Sequence, residues 1–380
     1  MKTRHDAFFS GETMRVVICG GGVIGACTAY FLSRRGIDVT VVERTEVAAA
    51  ASGKAGGFLA LDWCAGTPLD ALARRSFALH AALPGEIAGD WGYRRMTAYS
   101  GFVTSEHDAP SQARPELDWL SDGVIIAQQL GTTETTGIVH PRKFTAAMMR
   151  AAQGQGTELR RGNVTGLVRR ADASDVAGIE IDGGLIEADA VVVAMGPWSL
   201  LSARWMPLPA VFGQRSPSLV YDLGADVPAD ALFLETQEPG GAVVSVEVFP
   251  RADGSTHITA FSDQAPLPLD PAAVTPDSDA LDRLQAIAER LSPLFRAGKI
   301  IARQACFRPV TQDGLPLIGK VPRSEGAYVA TGHNVWGILN APATGEALAE
   351  LIADGKAFTT DLTPFDPIRL RPLDPSLVST

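Results

Sequence analysis

Hydrophobic and polar positions fall into a clear order from Arg15 onward. VVIC is a β-branched run, GGGVIG is a turn, CTAYFLSRRG repeats its apolar residues at helical spacing, and IDVTVVE is a second β-branched run. This is a strand, helix, strand opening. PRKFTAAMMRAA, 141–152, reads as an amphipathic helix starting at Pro141, and 158–170 as one strand around Val164. Residues 177–195 alternate and then run apolar up to Gly196, as a hairpin feeding a buried strand would. AYVATG predicts a short strand, and a glycine-led helix follows from Gly337 to Ala353. These blocks read as returns to one sheet. Between them, 76–136 and 205–301 are richer in Pro, Trp, Tyr and Phe, and SLVYD, GAVVSVEVFP and STHITAFSD predict antiparallel strands. The pattern therefore predicts an α/β domain built from 14–75, 137–204 and 302–365. A mostly antiparallel β domain, 76–136 and 205–301, is inserted in it, with tails at 1–13 and 366–380.

ACFRPVTQDGLPLIGK, 305–320, is too irregular for a helix and too polar for a buried strand, so it reads as a loop. The 380 residues, 46% of them hydrophobic, suffice for two domains of ordinary size. A formal charge of −10 without a long acidic run gives no invitation to nucleic acid or an anionic membrane. Cys19, Cys27, Cys64 and Cys306 match no metal-ligand spacing, so no metal and no disulfide is expected. The first residues lack the apolar core of a signal peptide, and no segment gives about 18 uninterrupted apolar residues. The cytoplasm is the expected compartment.

Chemistry enters with the glycines of the first turn. Gly20 permits the tight turn, Gly22 lets backbone approach a pyrophosphate, and Gly25 allows the helix to pack closely on the strand. Helix-start amides then face the phosphates. Glu43 ends the second strand about 20 residues on, where a carboxylate accepts ribose hydroxyls and repels a 2′-phosphate. Together these predict a dinucleotide site.

A nicotinamide enzyme usually keeps its cofactor domain in one contiguous run. Here a second glycine-rich stretch, SGKAGGFLA at 52–60, follows Glu43 closely, as it would if the chain ran on along the pyrophosphate toward a second ring system. With VVICGGGVIGACTAYFLSRRGIDVTVVE, ASGKAGG, GIVHP, VVVAMGPWS, CFRPVTQDGLPLIG and GHNVWGILNAPATGEALAELI, the chain resembles the D-amino-acid oxidase-like family of FAD-dependent oxidoreductases, in particular its glycine oxidase and sarcosine oxidase branches. The inserted domain resembles it only in outline, through FGQ at 212–214 and PRADGSTHITA. The resemblance implies an FAD-binding Rossmann-like domain of the glutathione-reductase type. Gly20, Gly22, Val23, Ile24, Gly25, Glu43 and Arg44 would hold the ADP half, and Ser52, Lys54, Ala55 and Gly56 would pass beneath the pyrophosphate and flavin. Val164 would meet the adenine, Gly196 and Trp198 would lie on the ribityl side, and Gly332, Gly337, Ile338 and Leu339 would reach the pyrimidine edge of the flavin.

The same resemblance assigns the late segment to the substrate. Arg308 stands where the glycine oxidase branch grips a substrate carboxylate, a task suited to a planar, permanently charged fork; the alternative is an arginine paired to a structural carboxylate such as Asp313. Cys306 stands where the sarcosine oxidase branch bonds cysteine to the flavin, which would require a thiolate of depressed pKa; the alternative is a buried structural thiol. Glycine oxidase-like members carry a second arginine within GH-x-R-x-G, whereas GHNVWG here has Val335 there. Trp336 would offer an aromatic wall, and His333 a base or hydrogen-bond donor. Arg94, Arg95 and Tyr99 lie on a predicted strand that could line the site. The implied activity is oxidation of a C–N bond in an amino acid or secondary amine, with hydride transfer to flavin N5 and hydrolysis of the imine. The acceptor would be O2, or a quinone or electron-transfer partner. Oxidation of a 2-hydroxy acid, or service as a flavoprotein subunit of a dehydrogenase complex, stays open, as does an oligomer.

Overall fold

The computed structural model describes residues 13–104, 117–170, 175–224, 227–238 and 240–378. With elements numbered along the chain, one sheet holds β1 (Arg15–Cys19), β2 (Asp38–Glu43), β8 (Glu158–Arg161), β12 (Ala190–Val193), β18 (Leu317–Lys320) and β19 (Ala327–Thr331). Their order is β18-β19-β12-β1-β2-β8, parallel except for β18. The β-branched runs are buried on both sides because both sides are covered. Val16, Ile18, Val39 and Val41 pack under the helices α1 (Val23–Ser33), α3 (Asp70–Glu86), α4 (Pro141–Gln153) and α7 (Gly337–Asp354). Val17, Cys19, Val191 and Val193 pack under a meander of β9 (Val164–Arg169), β10 (Val176–Ile181) and β11 (Gly184–Glu187). This is the Rossmann-like architecture expected from the sequence.

The second large sheet has the order β17-β13-β16-β15-β14-β5-β6. Its strands are β5 (Thr97–Val103), β6 (Val124–Gly131), β13 (Val211–Asp222), β14 (Asp230–Gln237), β15 (Val243–Pro250), β16 (Ser255–Thr259) and β17 (Lys299–Thr311). Only β14 and β5 pair in parallel. Leu281, Leu284 and Ile287 of α5 (Ser278–Leu291) cover one face, meeting Leu219, Val246, Val248 and Ile258. Alternation along each strand sends Ser216, Ser218, Glu247, Phe249, His257 and Thr259 to the opposite face. A small sheet of β3 (Phe58–Ala60), β7 (Thr136–Ile138) and β4 (Arg94–Arg95), in the order β3-β7-β4, joins the two units. The helices α2 (Ala51–Lys54) and α6 (Pro293–Ala297) complete the elements.

Several sequence expectations need correction. Residues 305–311 are not a loop but part of β17, paired to β13 with Arg308 opposite Gln214 and Cys306 opposite Ser216. The segment is polar because one face of the strand lines a cavity, and Pro309 is tolerated because β17 is an edge strand. The boundary at 75/76 cuts through α3, whose Leu72, Phe77 and Leu83 are buried in the Rossmann-like core, and the boundary at 301/302 cuts β17. The single strand around Val164 is two: β8 in the large parallel sheet and β9 in the meander. Of the tail at 366–380, the described residues 366–378 are docked through Arg369 on Asp313 at 2.7 Å and Arg204 on the Val378 carbonyl at 2.8 Å. Of the tail at 1–13, residues 1–12 lie outside the described residues.

Burial also sets an acid limit. His80 and His140 are pushed down to about 4 and His333 to about 3, and His257 also lies well below its ordinary value, desolvation being the largest cause in each. The unfolded chain takes up these protons near pH 6.5 and the native one does not, so stability is complete above that pH and is lost as pH falls below it. Each histidine contributes a slope of at most ~1.4 kcal/mol per pH unit. The thermal midpoint is expected to drop steeply between about pH 6.5 and 4.5; a flat midpoint there would contradict the burial of these imidazoles.

Candidate active site

A cavity of about 780 Å³ lies between the carboxyl ends of the parallel strands and the inner face of the seven-stranded sheet. Ligands in open α/β sheets bind at such ends. Gly20 follows β1, with φ +113° and room for no side chain, since an added Cβ would sit 2.5 Å from the Ala194 carbonyl oxygen. The following helix, α1, has no acidic residue in its first turn and no side-chain cap of its own. Instead the Val23 N–H donates to the Ser52 hydroxyl at 2.9 Å, across the rim of the cavity. An uncompensated helix start beside a glycine cradle fits an anionic pyrophosphate. At the end of β2 the Glu43 carboxylate accepts from Gly21 N–H at 2.7 Å and Thr45 N–H at 2.8 Å, which fixes it at the cavity wall.

Ile24, Gly22, Arg44, Val164, Gly196 and Trp198 also line the cavity. Arg44 donates to the Leu269 carbonyl at 2.8 Å, Trp198 donates its indole N–H to the Pro268 carbonyl at 2.8 Å, and the Gly196 carbonyl accepts from Thr331 at 2.8 Å. Gly25, Gly332 and Leu339 are not on the wall; they act behind it, Gly25 by packing α1 on the turn after β1 and Leu339 by burial in the core. Gly337 and Ile338, at the start of α7, do reach the wall.

Ser52, Lys54, Ala55 and Gly56 run along the cavity and are gripped from the second sheet. The Lys54 ammonium donates to the Ala305 carbonyl at 3.1 Å, Gln304 donates to the Lys54 carbonyl at 3.2 Å, and Arg251 donates to the Ala55 carbonyl at 2.8 Å. Arg251 is buried, and desolvation lowers its pKa to about 10, so it stays charged. It was not singled out in the sequence, where it lies within PRADGSTHITA, a stretch that resembles the family only in outline.

At the far end, Arg308 projects from β17 and donates through Nη2 to Ser262 at 2.8 Å and to Gln214 at 3.1 Å, while its buried Nε has no partner. Asp313 is not its partner: that carboxylate takes Arg369. Cys306 also faces the cavity, but burial pushes its thiol up to about 11, opposite to the depression that a reactive thiolate requires, with Arg308 and Lys54 pulling back only in part. His333 is buried and neutral, its Nε2 3.1 Å from the Thr344 hydroxyl. Trp336 meets Trp63 edge-on at 6.3 Å, and Trp63 in turn packs on Phe58 and Phe233. Val335, at the position of the absent second arginine, is 51% exposed at the cavity mouth. Arg94, Arg95 and Tyr99 do not line the cavity; Arg94 is spent on the Pro250 carbonyl and Arg95 on that of Glu134.

The family model for FAD dependent oxidoreductases, DAO, matches residues 15–351. The chain belongs to the DAO family of FAD-dependent oxidoreductases. Its cofactor is therefore FAD. A Schizosaccharomyces pombe protein whose name goes no further than an oxidoreductase is 30% identical, the match covering 94% of this chain and 98% of that one. The glycine oxidase of Pseudomonas aeruginosa is 29% identical, over 93% of this chain and 98% of the other. The solved glycine oxidase of Geobacillus kaustophilus superposes with a TM-score of 0.78 at 26% identity, covering 93% of this chain and 99% of that one.

Within this enzyme, sequence reading passed over Trp63, Phe249, Glu247 and His257, all on the cavity wall. For Glu247 a signal existed: in GAVVSVEVFP a lone carboxylate sits in phase with Ser245 and Phe249, on the face opposite Val246 and Val248. Trp63 lies in a loop after a three-residue strand, where no period points inward.

Proposed function

We propose that this enzyme oxidises the C–N bond of an amino acid or secondary amine whose carboxylate is held by Arg308. The observation that carries this reading is a guanidinium inside the cavity whose hydrogen bonds, among the described residues, go to the neutral Ser262 and Gln214, with its buried Nε–H left without a partner. A carboxylate can take both edges of that fork. Relatives named glycine oxidase at up to 29% identity support an amino-acid substrate. Bound along the cradle, FAD supplies the two-electron acceptor for the C–N bond.

The chain's own residues supply orientation and exclusion of water. Arg308 fixes one end of the substrate, while Trp336, Trp63, Phe233 and Phe249 wall the space around it. The N-terminus of α7, which has no side-chain cap, lines the same space, where its positive end would favour negative charge. His333, uncharged, adds no competing cation. The neutral Cys306 thiol supports an FAD held without a covalent bond.

The purified protein is expected to be yellow and to release FAD on denaturation with no adduct on Cys306. Under anaerobic conditions it should lose its visible flavin band with a member of a panel of glycine, sarcosine, proline and D-amino acids, and keep it with 2-hydroxy acids. Bleaching by a 2-hydroxy acid alone, or by nothing in the panel, would overturn the reading.

A further inference from the structure

Glu247 is a carboxylate on the inner face of the sheet that bears Arg308. It lies on β15, separated from β17 by β13 and β16, and both residues line the same cavity. Among the described residues neither forms an ion pair with the other, and no hydrogen bond engages Glu247. Its surroundings are apolar or neutral: Phe233 is directly opposite on β14, Thr259 is opposite on β16, and Phe249 stands two residues along. The charged or titratable groups that face it are Arg308 and Cys306 from β17, Lys54 from α2, the neutral His257 and His333, and the exposed Glu235 of β14. Burial pushes its carboxyl up, and Arg308 pulls it back. A half-buried carboxylate with no donor is costly unless a ligand provides one.

We propose that Glu247 is a substrate-binding residue, which accepts a hydrogen bond from a protonated nitrogen of a substrate whose carboxylate lies on Arg308. The inference rests on the Arg308 reading and extends it: the cavity takes a zwitterion by two points of opposite charge. Among the described residues neither Lys54, whose ammonium donates to the Ala305 carbonyl, nor Ser262 and Gln214, which accept from Arg308, makes a hydrogen bond to Glu247. A carboxylate ligand without nitrogen meets repulsion at Glu247 and nothing to offset it, so the second point acts as a filter as well as an anchor.

Ligands that cannot be oxidised at the α-carbon isolate this effect. The holoenzyme at roughly pH 8, above the ordinary carboxyl range, is titrated calorimetrically with 2-aminoisobutyrate and with pivalate, which differ by an ammonium in place of a methyl. A second pair, 5-aminovalerate and hexanoate, places the nitrogen at the far end of the chain. Wild type is expected to favour the nitrogen-bearing member of one pair by about tenfold or more, ~1.4 kcal/mol, and the pair that shows it locates the nitrogen. Glu247→Gln should abolish that ratio, and Glu247→Asp should retain part of it. Equal affinities within both pairs, or a ratio that survives in Glu247→Gln, would overturn the assignment. Both results are ratios and do not depend on Arg308. Carboxylates that bind Arg308→Met as tightly as wild type would instead overturn the Arg308 reading alone.

Discussion

Arg308→Met lowers kcat/KM for the amine substrate by roughly 10²–10³-fold while the flavin spectrum of the resting protein is unchanged. The magnitude follows from leaving a buried substrate carboxylate without its partner, a loss of about 3–4 kcal/mol. Methionine keeps an unbranched apolar stem and removes the charge and all N–H groups, so the fork is lost together with its bonds to Gln214 and Ser262. Arg308→Lys should recover only part of the rate, because a point charge replaces a planar pair of donors. The discriminating measurement is steady-state kinetics alongside the absorbance of the bound flavin. A loss of less than about threefold, with FAD fully bound, would show that the substrate is held elsewhere.

The second large effect lies at the other end of the cavity. Gly25→Val is expected to yield protein without bound FAD. A Cβ at residue 25 would sit 2.0 Å from the Gly20 carbonyl oxygen and 3.3 Å from the Ile18 methyl carbon, and real Cβ atoms stay beyond 3.0 Å. Relief requires α1 to move by about 1 Å from the turn it packs on, and a shift of that size displaces the start of α1 from the phosphate position, with a cost on the order of 10²-fold in affinity. The ratio of flavin to protein absorbance reports the loss, and circular dichroism separates it from unfolding. A folded variant that keeps one FAD per chain would refute the role given to this contact. Gly25→Ala should show the same defect more weakly, since the clash begins at Cβ.

How much of the site was readable in advance depended on whether its parts were close along the chain. The turn after β1, the acidic end of β2 and the start of α7 were legible because a strand, a glycine turn and a helix follow one another within a few residues, each with its own periodicity. Arg308 was legible by type and by its neighbours, although its segment was taken for a loop. The irregular, polar pattern of 305–311 arises from an edge strand with one face on a cavity, and composition does not separate that from a loop. The boundary placed inside α3 failed for a related reason. Residues 76–86 read as part of the inserted domain, and only packing of Phe77 and Leu83 beneath α7 assigns them to the Rossmann-like core.

The chain's own order of residues determined the βαβ opening and the glycine cradle with Glu43, both carried by local spacing, while the candidacy of Arg308 came from motifs that resemble the family. Only the tertiary structure decided that Asp313 belongs to Arg369, that Cys306 is a buried neutral thiol, and that Arg251 reaches back to the Ala55 carbonyl. It alone set Glu247 in the same cavity as Arg308 from a strand some sixty residues away in the chain. The reason is physical: which carboxylate meets which guanidinium, and whether a thiol is desolvated, depends on sheet pairing and burial, and these join segments that no local period connects.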